Sequence, residues 1–148
     1  MQRYFADSKI TTEYQLTPEI YKHAIKVLRM KVGDTFELVD DAEVVHKMEI
    51  TKIEDGKAKA TSVEVIPSDV ELPADVTIVC GISKNDKADW IVQKGTEMGA
   101  TKFIFFVGDY SVAKWDKKRS SKKVQRLQKI ARSAAEQSHR TKIPEVTF

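Results

Sequence analysis

Gln137 and Arg140 end a basic stretch of the chain with two side chains suited to a nucleotide. The Arg140 guanidinium offers a bidentate fork for phosphate oxygens. The Gln137 amide sets a donor beside an acceptor and can read the edge of a base. An arginine here also serves as an ordinary helix C-cap, and both readings stand. His139 has no carboxylate spaced to orient it, so it reads as exposed filler rather than a general base. Arg3 precedes Tyr4-Phe5, a basic and aromatic run able to grip a flipped nucleotide or its backbone. Lys94 and Glu97 lie three apart on one predicted helix face, where a surface ion pair is worth well under ~1 kcal/mol. Three scattered histidines and Cys80 form no metal-ligand set, and no G-x-G-x-x-G or P-loop is present.

Charge singles out the same region. Between Lys114 and Lys142 there are eleven Lys or Arg against Asp116 and Glu136, a local balance of +9. The other 14 basic and 20 acidic residues sum to −6. Such asymmetry points to an anionic partner, and the bland alternative is a solvated helix face. At 148 residues, 41% hydrophobic and 32% charged, the chain reads as one average or two small globular domains. No apolar run approaches the roughly 18 residues a membrane span needs, no secretory h-region opens the chain, and one cysteine excludes a disulfide framework. The cytoplasm is the expected location.

Residues 1–68 read as a small β-rich domain. Arg3–Phe5 opens a strand. Thr17, Pro18 and Glu19 supply N-cap, N1 and first-turn acid for a helix over PEIYKHAIKVLR, whose 3.6 spacing puts Ile20, Ala24, Val27 and Leu28 on one apolar face. TFELVD, VVHKMEITKIE and KAKATSVEVIP then alternate at period two, as half-buried antiparallel strands do, with a turn at Asp55-Gly56. A compact barrel with one helix is the economical architecture. Residues 69–75 read as a linker. From Val76 the pattern becomes strand, helix, strand. Val76–Ile82 and Lys102–Val107 look buried on both faces, the helix from about Asp86 to Met98 stops at Gly99, and the strands join by a right-handed crossover. A long helix, about 117–139, buries Val124, Leu127, Ile130, Ala131, Ala134 and Ala135 and turns Lys118, Lys122, Lys129 and Arg132 outward; Ile143–Val146 starts a third strand. Two complete strands and two helices cannot bury both faces of a sheet, so exposed strands and a marginally stable second domain are expected.

Five blocks carry a family resemblance: RYF at 3–5, HAIKVLRMKVGD at 23–34, QKGTEMGATKF at 93–103, SVAKWD at 111–116 and AAEQSHRTKIPE at 134–145. The chain resembles the N-terminal part of the small-subunit ribosomal RNA uridine N3-methyltransferases, of the knotted SPOUT class. The resemblance implies a multi-domain α/β protein: a small PUA-like β-barrel (1–68), then the first βαβα half of a SPOUT α/β trefoil-knot domain (76–148), truncated before the knot. It implies methyl transfer from S-adenosylmethionine to N3 of a uridine in 16S ribosomal RNA, with that RNA or the small ribosomal subunit as partner and a homodimer for the full-length protein. No membrane or metal partner is implied.

The family's GPEGG loop and its later Leu-Gly…Leu-Arg…Glu-Thr-Ala segment have no match here, so the cofactor site is expected beyond Phe148 and no residue is assigned to it. By resemblance Gln137 and Arg140 belong to the active-site rim, Lys94 and Glu97 face the catalytic cleft, and Arg3, His23 and Arg29 match positions in the RNA-binding domain. Arg29 also ends a helix, where a cation favours the dipole. Tyr110 departs from the family's usual arginine; it cannot hold a phosphate but can stack on a base. The alternative is a non-catalytic RNA-binding or ribosome-assembly module using barrel and basic helix alone. A DNA-binding regulator is disfavoured, because no helix-turn-helix pattern is visible.

Overall fold

The computed structural model describes residues 1–148 and falls into two compact units, Met1–Asp69 and Val70–Phe148. The division falls within residues 69–75, read as a linker, with Asp69 in the first unit and the rest in the second.

The first unit is one five-stranded sheet of β1 (Arg3–Phe5), β2 (Glu13–Gln15), β3 (Thr35–Val39), β4 (Val45–Glu54) and β5 (Lys57–Ile66), in the order β1-β3-β4-β5-β2. The alternating segments form the antiparallel β3-β4-β5 meander. Asp55 and Gly56, with φ of 52° and 73°, make the tight β4–β5 turn whose hand matches strand twist. Register shifts in β4 after Lys47 and Ile50 bend the ladder, as bulges do. Two strands lie at the ends of this order: β1 runs parallel to β3, and β2 pairs with β5. The short β2, polar in sequence, was not foreseen. One face carries the core of Tyr4, Ile20, Ala24, Phe36, Leu38, Met48 and Ile50.

The helix of this unit departs from its 3.6-residue reading. Thr17 caps it as expected, its hydroxyl accepting from the Ile20 amide at 3.3 Å, and Pro18 takes the first position of α1 (Pro18–Tyr21). From Lys22 to Val27 the chain then winds as a π-helix, the Leu28 amide reaching back to the His23 carbonyl at 2.9 Å. The wider turn keeps Ile20 and Ala24 inside but rotates Val27 (62% exposed) and Leu28 outward, correcting the predicted apolar face.

At the β3–β4 hairpin, Asp40 accepts from the Ala42 and Val44 amides at 2.9 and 3.0 Å, and its other oxygen meets His46 Nε2 at 3.0 Å. His46 Nδ1 lies 3.0 Å from the Ser62 hydroxyl on β5. The serine, histidine and aspartate resemble a hydrolase relay, yet the Asp40 carboxylate holds loop amides. The trio is a hairpin clamp.

The second unit alternates β6 (Thr77–Gly81), α2 (Lys87–Glu97), β7 (Lys102–Phe106), α3 (Lys117–Gln137) and β8 (Glu145–Thr147), and its strands are all parallel in the order β6-β7-β8. Monotonic order with crossovers of one hand sends both helices to the same face. Val92 of α2 and Leu127 and Ala131 of α3 accordingly share one core with Phe103, Phe105 and Val146. The opposite face is open, with Val79 62% exposed and Phe106 exposed. The strands are therefore buried on one face and open on the other, as expected for so few elements, although their apolar runs suit burial on both. Gly95 lets α2 close on the sheet: a Cβ there would stand 2.6 Å from Phe103 Cε1. Gln128 seals the outer edge of β8, donating to the Pro144 carbonyl at 2.7 Å and accepting from the Val146 amide at 3.0 Å.

Candidate RNA-binding surface

The basic helix α3 begins at Asp116, whose carboxylate caps the Arg119 amide at 2.7 Å. Leu127 and Ala131 pack in the core, Ala134 and Ala135 are buried and Val124 and Ile130 are half-buried, which leaves Lys122, Gln125, Arg126 and Lys129 on the solvent side. These four, with Ile130 and Ser133, line a shallow groove along the helix. It continues into a second hollow against α2, lined by Asp86, Asp89, Trp90, Gln93, Ala134 and Gln137 besides the shared Ile130 and Ser133. Arg126 is ion-paired with Asp89, so one acid of the hollow is already neutralised. Trp90 is 64% exposed.

Of the residues expected to act, Gln137 reaches this surface. Lys94 and Glu97 form an exposed ion pair at 3.1 Å on α2 and do not line the groove. Arg140 is a correction. His139 adopts φ 56° just past α3, and the Arg140 amide turns back to the Ala135 carbonyl at 2.9 Å, closing a left-handed helix stop. That stop drives the Arg140 side chain inward. Nη1 donates to the carbonyls of Thr96 (3.1 Å), in the last turn of α2, and Ala100 (2.6 Å), in the loop after it, while Nε and Nη2 grip the two oxygens of Glu71 at 3.1 and 2.5 Å. Burial pushes the Glu71 carboxyl up, but the Arg140 hydrogen bond, the Thr141 amide and the charges of Arg140 and Lys142 carry it below its ordinary range. The fork is spent inside the protein and faces no phosphate. Arg140 does cap a helix, though one earlier in the chain than the helix it follows.

The first-unit residues divide similarly. Arg3 is buried and donates from Nε to Glu37 at 2.7 Å, and Tyr4 and Phe5 are buried beside it, so this run builds the β1–β3 pairing and does not grip a nucleotide. His23 is exposed on the π-helix, its Nδ1 held 2.8 Å from the Tyr4 hydroxyl. Arg29 sits at φ 55°, where the chain leaves that helix, with its side chain in solvent. Tyr110 is 100% exposed.

Trp90 and Gln93 escaped the sequence reading. Trp90 heads the run Trp90-Ile91-Val92, which looks like core. Helix phase was the available signal: with Val92, Gly95 and Thr96 inward, residues 90 and 93 lie outward.

A β-rich unit followed by a parallel α/β unit with one strongly basic helix defines a two-unit protein. Family models agree: an RNA methyltransferase PUA domain matches residues 16–61, and an RNA methyltransferase domain matches residues 70–148. The chain belongs to the RNA methyltransferase family. It is 39% identical to the ribosomal RNA small subunit methyltransferase E of Bacillus subtilis (strain 168), over 99% of this chain and 59% of that protein. It is 32% identical to the Buchnera aphidicola (subsp. Acyrthosiphon pisum) protein of that name, over 95% of this chain and 55% of the relative. The crystal structure of the Neisseria gonorrhoeae ribosomal RNA small subunit methyltransferase E, bound to S-adenosyl methionine, superposes with a TM-score of 0.89 at 27% identity, covering 99% of this chain and 62% of that one. The chain thus spans between 55% and 62% of the length of these relatives.

Proposed function

We propose that the protein serves methyl transfer from S-adenosylmethionine to N3 of a uridine in 16S ribosomal RNA, with the residues described here supplying the RNA-facing part. The carrying observation is the exposed cationic groove on α3, in a chain whose full length resembles ribosomal RNA small subunit methyltransferases. Lys122 and Lys129 hold phosphates there, so affinity falls steeply with salt. The target uridine has to be splayed out, because an A-form helix hides its base edges.

The grooves of the second unit do not fit the cofactor. S-adenosylmethionine carries a sulfonium and an ammonium, which Lys122 and Lys129 of the α3 groove repel, and the second hollow, lined by Asp86 and Asp89, is open to solvent and does not enclose a ligand. In this reading the cofactor is held by residues outside those described, in a knotted SPOUT fold that pairs as a homodimer. No step through the cofactor is derived from this chain.

The test is genetic and chemical. Deletion of the gene removes N3-methyluridine from 16S ribosomal RNA, read by mass spectrometry of nuclease digests, and reintroduction restores it. Unchanged N3-methyluridine in the deletion strain rules the proposal out.

A further inference from the structure

We infer that the α2–α3 groove is a subsite for single-stranded RNA in which a base stacks on Trp90 and the flanking phosphates follow Lys122 and Lys129. The inference rests on the RNA-facing reading above and adds to it a stacking platform and a polarity.

The two tryptophans of the chain are treated oppositely. Trp115 is covered: its ring stacks on Phe148 at 5.4 Å, meets Phe105 at 6.1 Å and lies 5.0 Å from the Lys123 ammonium. Trp90 stands 64% exposed at the wall of a hollow floored by Ile130 and Ala134. This hollow shares Ile130 and Ser133 with the cationic groove. An exposed apolar ring next to a cationic groove is the pairing by which proteins hold unpaired strands, with π-stacking for the base and Lys or Arg for the backbone. The amides of Gln93 and Gln137 line the same hollow and provide donors and acceptors for a base edge.

Charge orients the strand. Asp86 and Asp89 sit on the α2 side, where they repel phosphate, and Arg126 neutralises Asp89. Lys122 and Lys129 lie on the α3 side. The backbone therefore runs along α3 while its bases turn toward α2. From Lys122 to Gln137 the helix rises about 22 Å, room for a few nucleotides. A duplex keeps its bases stacked on each other and cannot use Trp90.

The experiment uses the Trp115→Phe chain, leaving Trp90 as the sole indole, and an oligouridylate of about twelve residues, long enough to cross such a site. Expected are quenching of Trp90 fluorescence on binding and an affinity about tenfold lower for Trp90→Ala in the unaltered chain, with Trp90→Phe recovering most of it. Lys122→Ala with Lys129→Ala flattens the log–log salt slope by about 1.4, near 0.7 per lost phosphate contact. Tight oligouridylate binding unaffected by Trp90→Ala overturns the subsite and leaves RNA methylation standing. Equal quenching by an RNA duplex overturns the stacking. No RNA binding by the unaltered chain overturns the subsite and the RNA-facing reading together.

Discussion

Arg140 and Glu71, 69 positions apart, meet as a two-point ion pair at 3.1 and 2.5 Å, and the same guanidinium donates to the carbonyls of Thr96 at the end of α2 and Ala100 just past it. The pair holds the segment before β6 against the end of α3. Gly99, at φ 106° under the Leu72 side chain, completes this corner.

Breaking that pair is expected to destabilise the second unit strongly. Glu71→Gln leaves a buried guanidinium without its counter-charge, a loss of about 3–5 kcal/mol for buried pairs of this kind. Urea unfolding followed by tryptophan fluorescence reports on this unit, since Trp90 and Trp115 both lie in it. An unchanged midpoint contradicts the assignment.

Acid should weaken both units. The Glu71 and Asp40 carboxyls lie below their ordinary values of 4.5 and 3.8. Burial pushes Asp40 up, and its His46 hydrogen bond and the Val44 and Ala42 amides more than offset that. A depressed folded value means the unfolded chain binds more protons as pH falls. The stabilisation is therefore complete above the ordinary carboxyl values and drains as pH drops through them toward the folded ones. Urea midpoints between pH 7 and pH 3 should fall for the natural chain and fall less for Glu71→Gln and Asp40→Asn.

Gly95→Ala should cost about 1–3 kcal/mol by overpacking, because the new methyl meets the Phe103 ring and Ile78 Cδ1. Pairing it with Phe103→Leu, which makes room, should recover part of the loss. Additive destabilisation in the double variant would show that the contact is not the cause.

His139→Gly should stabilise the chain, by up to about 1 kcal/mol, since a non-glycine residue at φ 56° carries a left-handed backbone penalty. A lower melting temperature would mean that the histidine ring holds the helix stop through its own contacts.

Local patterns in the sequence were sufficient for most elements. Period-two alternation reads out as β3, β4 and β5, Thr17-Pro18 starts a helix, Gly99 stops one, and most cations of the +9 segment lie on α3. These signals lie within a few residues, which is the range over which propensity, capping and amphipathic phase act. The matched blocks also carried the family. Tertiary structure alone decided what the arginines do and which aromatic is free. Arg3 finds Glu37 34 positions away, and Arg140 finds Glu71 69 positions away. A guanidinium reads as a phosphate ligand until a buried carboxylate claims it. Trp90 and Trp115 are alike as letters and differ only in what packs over them, a choice made where α2 lies against α3 and where Phe148 folds onto Trp115.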